Sequence, residues 1–242
     1  MSLFSFFSKD SKDKRAITGL QKTLMQPFQQ TQERKRAAED LAKVGTPEAI
    51  AALLRRFEFR IENHTNDEDE KEHVHDLLIG LGEAAVEPIL AYIRSETNLF
   101  WPIKALRRIA GDERTATYLL DTIAGFTDVY GKNRDRLNQL VDNIRAFASD
   151  QRVYDRLKAL AQDDDEEIVL RAIDGLMIRQ DAEVVALAVR KLVDPEVSQR
   201  LKNVIMELLA QSEWSLGDHA AEVEPVVPAN YTIDAGGVVR RK

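Results

Sequence analysis

The chain of 242 residues contains no cysteine, which excludes disulfide bonds, thiol catalysis and cysteine-ligated zinc or iron–sulfur sites. Its longest uninterrupted apolar runs, such as Ala49–Leu54 and Val184–Val189, have six residues. A membrane-spanning helix needs about 20. The chain also lacks a glycine-rich phosphate loop and a nucleophile elbow, so neither a nucleotide fold nor a serine hydrolase is predicted.

Basic residues are outnumbered by acidic ones, 34 Lys and Arg against 41 Asp and Glu, which gives a net charge of −7. A general nucleic-acid binder needs a basic surface that displaces counterions from phosphates, so this balance argues against one. The remaining composition, 44% hydrophobic and 31% charged, is typical of a globular protein.

The first 36 residues differ from the rest in charge, with eight basic and three acidic side chains. An apolar segment (Phe4, Phe6 and Phe7) is followed by lysines, but no basic residue precedes it, so a secretory signal is not predicted. Two interpretations remain open: an arm that weakly contacts an anionic membrane surface or an acidic partner, or a frayed end whose phenylalanines pack on the first helices.

An internal repeat starts with RAAEDLAKVGTPEAIAALL at residues 36–54, which reads as two amphipathic helices separated by a Gly-Thr-Pro break. Thr46 can cap the second helix, and Pro47 suits its first position because the missing N–H is not needed there. The second helix continues an apolar stripe to Phe57 and Ile61.

The same plan recurs at regular intervals along the chain. The equivalent elbow positions are Thr46, Glu83, Asp112, Asp150 and Asp181. They are 37, 29, 38 and 31 residues apart, and a sixth helix pair is expected from Pro195. The two long intervals contain segments that we expect to be loops, 62–72 and 125–134.

The stretch RAAEDLAKVGTPEAIAALL resembles the HEAT-like repeat first recognised in phycobilin lyases, and DDEEIVLRAIDGL repeats its acidic loop and following helix. The order of the whole chain, including FWPIKAL and a tail ending in GVVRRK, is also similar to a group of bacterial HEAT-repeat proteins. The resemblance implies an all-α, armadillo-like fold: a right-handed α-solenoid of five to six helix pairs with a short non-helical C-terminal cap. It implies a bacterial cytoplasmic protein that binds other proteins, with no reaction to transfer.

Three domain segments follow from these patterns: an N-terminal arm and helix over 1–30, the repeats over 31–212, and a tail over 213–242. The tail contains two prolines and an Ala-Gly-Gly turn between Tyr231–Asp234 and Val238–Arg241, which predicts a small hairpin. We expect it to cover the last helix pair, since terminal repeats need a polar cap. The alternative is a detachable recognition peptide ending in basic residues.

Enzyme classes built on this repeat find little support in the residues. Iron-dependent HEAT-repeat hydroxylases need His-Glu pairs, which no histidine of this chain forms, and a Glu-x-x-His spacing at Glu72 and His75 has no second copy. Neither a cofactor nor a metal site is predicted. A phycobilin lyase-like role rests on fold analogy alone. A HEAT-like DNA glycosylase is the chief alternative, with five arginines as candidates for charge: Arg55, Arg56, Arg60, Arg107 and Arg108.

The favoured interpretation is a non-enzymatic scaffold that holds a partner protein, of unknown identity, on its concave surface. Aromatic and arginine side chains of the second helices, together with Trp101, would bind it. Trp101 follows a helix cap expected at Asn98, and it either packs beneath the preceding loop or presents an anchor. The predicted partner-binding residues are Arg56, Phe59, Arg60, Tyr92, Arg94, Trp101, Tyr118 and Arg156.

Overall fold

A computed structural model describes residues 3–126 and 131–242, with side chains from residue 13 onward. The side chains of Phe4, Phe6 and Phe7, and therefore the membrane-contact hypothesis, lie outside this description. The described chain is mainly helical and forms two compact units, 1–139 and 140–242. The repeat pattern did not indicate this division.

The first unit is built from helices joined by short connections. They are α1 (Leu3–Leu24), α2 (Thr31–Val44), α3 (Pro47–Leu54), α4 (His64–Leu81), α5 (Val86–Ser95), α6 (Phe100–Ala124) and the first part of α7 (Lys132–Ile144). Short 3-10 segments follow α3 and α4, at Arg55–Glu58 and Gly82–Ala85. Alternate helices contact each other, α2 with α4, α4 with α6 and α3 with α5, and the consecutive helices α5 and α6 also pack together.

The elbows predicted from the repeat separate helices in the structure. Thr46 caps α3 by accepting a hydrogen bond from the Ala49 amide, with Pro47 in the first turn. The 3-10 segment at Gly82–Ala85 contains Glu83. Asp112 follows Gly111, whose φ of 80° breaks α6 into two parts. Such a positive φ suits glycine because a Cβ would be strained there.

Two segments were predicted to be loops, 62–72 and 125–134. The second lies partly outside the described residues, and the first is not a loop. Helix α4 already begins at His64, with Asn63 as its cap. Asp67, Glu70 and Lys71 on this helix are buried. A segment that reads as an exposed acidic loop is therefore part of the core of the first unit.

The second unit continues with helices that begin at side-chain caps. These helices are α8 (Gln151–Leu160), α9 (Glu166–Leu176), α10 (Ala182–Val193) and α11 (Gln199–Ser212), with capping residues Asp150, Asp165, Asp181 and Ser198. Each cap accepts a hydrogen bond from a backbone amide in the first helical turn. The aspartates at 150 and 181 are elbow positions of the predicted repeat.

The tail forms the expected hairpin, with β1 (Tyr231–Ile233) antiparallel to β2 (Val239–Arg241) after the short helix α12 (Ala220–Val223). Tyr231 and Val239 are buried, and β2 packs on α11. The basic end is held in place: Arg240 pairs with Asp234 and Glu213, and Arg241 pairs with Glu207 of α11. These contacts support a cap rather than a detachable peptide.

Gly175 of α9 lies so close to its neighbours in the second unit that a larger residue does not fit there. A Cβ at Gly175 would lie 2.7 Å from the Arg145 Cβ and 3.0 Å from the Leu157 Cδ1. We expect Gly175→Ala to lower the free energy of unfolding by about 1–3 kcal/mol, because a packed core cannot absorb an added methyl group without strain. Urea denaturation followed by circular dichroism measures this difference.

Gly80→Ala is the matched control, since Gly80 lies near the end of α4 with nothing within 4 Å of an added Cβ. There the substitution is expected to stabilise the protein by about 0.5–1 kcal/mol, because alanine loses less backbone entropy on folding. Equal effects of the two substitutions would contradict the close packing at Gly175.

Candidate functional site

Seven of the eight predicted partner-binding residues lie in the first unit, and these seven do not form one surface. Phe59, Arg60 and Trp101 line one cleft of the first unit, and Arg94 and Tyr118 line another. Arg156 lies in the second unit, half-buried on α8, with its Nε buried and without a hydrogen-bond partner. The remaining two, Arg56 and Tyr92, are buried, and this corrects their assignment as partner-binding residues.

Arg56 is completely buried and belongs to a cluster of charged side chains in the first unit. Its Nε donates to the Glu70 Oε2 at 2.9 Å, and its Nη2 donates to the Asp67 Oδ1 at 2.7 Å. Arg34 forms a bidentate ion pair with the same Glu70: its Nε donates to the Oε2 at 2.9 Å and its Nη2 donates to the Oε1 at 2.6 Å. Lys71 completes the cluster by donating to the Asp67 Oδ2 at 2.6 Å. Five buried charges are thus paired with one another, and a buried charge is tolerated only when it is paired in this way.

The pKa values of the two carboxyls follow from these contacts. Burial alone would raise the pKa of Asp67, but hydrogen bonds from Lys71 and Arg56 outweigh it and leave the pKa below its ordinary value. Burial likewise opposes ionisation of Glu70, and the hydrogen bond from Arg34 with the charge of Arg56 lowers its pKa overall. Both groups are therefore anionic at neutral pH.

The cluster also fixes the backbone of two loops. The Arg56 Nη1 donates to the Phe59 carbonyl at 3.2 Å, and the Arg34 Nη1 donates to the carbonyls of Gln26, Pro27 and Gln29. Within the loop that Arg34 holds in this way, the side chain of Phe28 is 92% exposed. The α1–α2 loop and the segment after α3 consequently lie at the same end of the unit.

Tyr92 is buried on α5, and its hydroxyl has no hydrogen-bond partner among the described residues. Burial and the nearby Glu58 and Glu96 carboxylates raise its pKa above the ordinary value. Glu58 is partly buried as well and pairs with Arg55 at 2.7 Å. The side chain of Tyr92 thus points into the core from α5, and Tyr92 is not available to a partner.

The cleft that contains Phe59, Arg60 and Trp101 has a volume of about 630 Å³ and lies between the end of α3 and the start of α6. We call it the aromatic cleft. Its further lining residues are Phe57, Glu58, Glu68, Lys71, Asn98, Leu99, Phe100 and Gln139. This volume is within the range of about 300–1,000 Å³ that is usual for small ligands and single side-chain anchors.

Trp101 is held rigidly at the edge of this cleft. Its ring stacks on Phe57 at a centroid distance of 6.4 Å and meets the edges of His75 and Phe100 at 5.6 and 5.4 Å. It therefore packs against Phe57 of the preceding pair and also lines the cleft, and its role as an anchor for a partner stays a prediction. The helix begins at Phe100, one residue earlier than predicted, and no side chain caps it. The Leu99 amide instead donates to the Gln139 Oε1 at 3.0 Å, which corrects the cap expected at Asn98.

The sequence did not indicate Phe100 or Lys104. Phe100 is 60% exposed beside Trp101, and the Lys104 Nζ lies 4.4 Å from the centre of the Trp101 ring. A usable signal was present, because positions 100, 101 and 104 share one side of a helix at spacings of three and four. The spacing of Glu70 to Val74 and Leu78 likewise places it on the apolar side of α4, although it does not indicate the arginines that pair with it.

A second recess of about 390 Å³ contains Arg94 and Tyr118. The Tyr118 hydroxyl accepts a hydrogen bond from Arg114, which is itself paired with Glu83. The recess reaches Phe126, the last residue described before the gap at 127–130. In residues 3–126 and 131–242, no group of three or more His, Asp or Glu side chains could hold a metal ion.

We expect Glu70→Gln to lower the free energy of unfolding by about 3–5 kcal/mol, because Arg34 and Arg56 would both lose the charge that balances them in the core. Glu68→Gln is the matched control: Glu68 is exposed two positions earlier on the same helix, and its loss should change stability by less than about 0.5 kcal/mol. Urea titration of both variants measures the difference. Similar small effects would contradict a cooperative buried cluster.

The lowered carboxyl pKa values also predict how stability depends on acid. A group whose pKa is lower when folded contributes stability above its unfolded pKa and loses it as the pH falls through the folded value. For Glu70, whose ordinary pKa is 4.5, the stability difference between wild type and Glu70→Gln should stay constant above that pH and shrink below it. Urea titrations at a series of pH values test this. A difference that shrinks already near neutral pH would contradict it.

Comparisons with protein-family models, with characterised proteins and with solved structures found no match to this chain. Within the described residues, no helix has the combined length and apolar character needed to cross a bilayer. An assignment of function must therefore be argued from the side chains and their geometry.

Proposed function

We propose that this protein is a non-enzymatic, cytoplasmic interaction protein built from HEAT-like helix pairs and that it binds a partner protein at the aromatic cleft. The proposal retains the scaffold function that the repeat suggested. The binding surface is then not the second helices but one end of the first unit, where the segment after α3 lies beside the start of α6.

Two features support the HEAT-like part of the proposal. The elbows recur at similar intervals, and each one separates two helices in the structure. In the first unit, alternate helices contact each other, as expected when successive helix pairs stack and bury each other's apolar sides. A right-handed solenoid of five to six pairs is the architecture that we propose on these grounds.

The exposed Phe100 beside the cleft is the observation that carries the binding function. It is 60% exposed, adjoins the half-buried Trp101, and faces the same cleft as Phe59 and Arg60. Aromatic residues and arginine dominate binding energy at protein interfaces, especially where they meet a recess. Burying apolar surface contributes about 25 cal/mol per Å², so an exposed phenylalanine is an efficient anchor.

The cleft is also largely preformed, which favours binding. Trp101 is fixed by three ring contacts, and the backbone before it is held by Gln139. Phe59 is tied to the buried cluster through its carbonyl. Because these groups are already ordered, a partner loses less of its binding free energy to ordering them.

The DNA-glycosylase alternative gains no support from the five arginines named for it. Arg56 is buried, Arg55 pairs with Glu58, and Arg107 pairs with Asp112 at 2.6 Å. Arg60 and Arg108 are exposed, on different elements. A DNA-binding surface needs several cations that can replace counterions along a phosphate backbone.

We expect Phe100→Asp to abolish capture of the partner in a tagged pull-down from nuclease-treated native lysate. With the captured protein identified and purified, calorimetry should show binding weakened by more than about tenfold, the loss typical of a central aromatic anchor. Ile178→Asp is the matched control, since Ile178 is 56% exposed in the second unit and outside the cleft.

The two variants separate the possible results. Binding that survives Phe100→Asp but is lost in Ile178→Asp would place the interface elsewhere and overturn the aromatic cleft as the site. Recovery of nucleic acid alone, before nuclease treatment, would overturn the protein-binding function itself.

A further inference from the structure

We propose that the aromatic cleft selects an acidic partner segment, one that inserts an apolar side chain among the aromatic rings and places carboxylates against Arg60 and Lys104. This inference rests on the proposed function and specifies the chemistry of the partner. It follows from which charges of the cleft are already paired and which are not.

The aromatic rings already carry cations from the chain itself. The Arg56 guanidinium carbon lies 4.5 Å from the centre of the Phe59 ring, and the Lys104 Nζ lies 4.4 Å from that of Trp101. A cation over an aromatic ring is attracted by the negative face of the ring. With these faces occupied, a basic or methylated lysine side chain of a partner would have to compete with Arg56 and Lys104 and would meet like charge.

Most charges around the cleft are neutralised locally. Lys71 pairs with Asp67, Arg56 pairs with Asp67 and Glu70, and Arg55 pairs with Glu58. Arg60 and Lys104 differ, since among the described residues neither has a carboxylate within ion-pair distance, and both are exposed. They are the two cations at the cleft that can receive carboxylates without breaking an existing pair.

The local charge is also opposite to that of the whole chain. The charged residues that line the cleft are Glu58, Arg60, Glu68 and Lys71, and together with Lys104, which lies over the Trp101 ring, they carry a net charge of +1, whereas the chain carries −7. Such a local potential steers an anionic segment to the cleft and repels a basic one.

Two considerations favour a peptide segment over a nucleic acid. Two available cations can contact two carboxylates of a short segment, but they are too few to follow a phosphate backbone. The recess of about 630 Å³ accommodates one or two side chains rather than a folded surface or a duplex.

Glu68 allows a test in which the affinity for an acidic segment should rise, besides the tests in which it should fall. It is the carboxylate at the cleft without an ion pair among the described residues, and it is exposed. Its charge would repel an acidic segment, so Glu68→Gln should tighten binding. A purely structural role of the cleft charges would not produce a gain of affinity.

The experiment measures binding of short fluorescein-labelled peptides to the full chain by fluorescence anisotropy. All peptides contain the same Leu and Phe residues, which are separated by Glu and Asp in one, by Lys and Arg in the second, and by Ser and Asn in the third. A single-stranded DNA oligonucleotide of similar length is the fourth probe. We expect the acidic peptide to bind at least about tenfold more tightly than the neutral one, and more weakly as salt concentration rises.

Charge variants then locate the binding site. The double variant Arg60→Gln/Lys104→Gln should remove the advantage of the acidic peptide over the neutral one, whereas Glu68→Gln should increase it. Lys43→Gln is the control, because Lys43 is an exposed lysine of α2 that does not line the cleft. Circular dichroism confirms that each variant is folded.

Each outcome decides between the two proposals. If the neutral or basic peptide binds as well as the acidic one, or the oligonucleotide binds most tightly, the inference is overturned. If the captured protein partner is lost in Phe100→Asp but unaffected by Arg60→Gln/Lys104→Gln, the inference falls and the proposed function stands. If Phe100→Asp has no effect on that partner, the proposed function falls.

Discussion

The carboxylate of Glu70 is the contact on which the first unit depends. It lies on α4 and binds Arg34 of α2 and Arg56 of the segment after α3, so one side chain joins three consecutive elements. The cost of removing these charges from water is large, and it is offset only because each charge has a partner with good hydrogen-bond geometry. Without Glu70 two guanidinium groups would remain in the core with a single carboxylate, Asp67, which already binds Lys71.

The same cluster determines how the surface above it is arranged. Arg34 and Arg56 use their remaining donors on loop carbonyls, and these bonds orient the backbone at Phe28 and Phe59. Loops that are fixed in this way can present side chains to a partner without a large loss of entropy on binding. Stability and the shape of the aromatic cleft are therefore two results of one set of hydrogen bonds.

The elbows could be predicted from sequence because they depend on local chemistry. Thr46, Asp150 and Asp181 cap helices through bonds to amides two or three residues later, and at Thr46 the adjoining glycine and proline also mark the break. The helical nature of 64–72 could not be predicted in that way. Its many charges are typical of a solvated loop, and the pairing that buries them depends on Arg34 and Arg56, which are distant in sequence.

The candidate site was predictable only in part, for a related reason. A periodic pattern indicates which residues share one side of a helix, but it does not state which side the neighbouring helices cover. Tyr92 and Phe59 were assigned to one surface on that basis, yet α5 turns Tyr92 inward while the loop after α3 leaves Phe59 at a cleft. The spacing of positions 100, 101 and 104 groups Phe100 with Trp101 and Lys104, but the exact start of α6 depends on a long-range bond from the Leu99 amide to Gln139, which the sequence does not indicate.

A core of apolar residues could fill the volume of the charged cluster with a smaller desolvation cost. It would not, however, supply donors for the carbonyls of Gln26, Pro27 and Phe59. Those carbonyls would have to turn toward water, because a buried carbonyl without a donor is costly, and the loops would move with them. The charged cluster therefore does what an apolar core of equal stability could not: it fixes the end of the unit where the exposed aromatic residues and the two available cations lie.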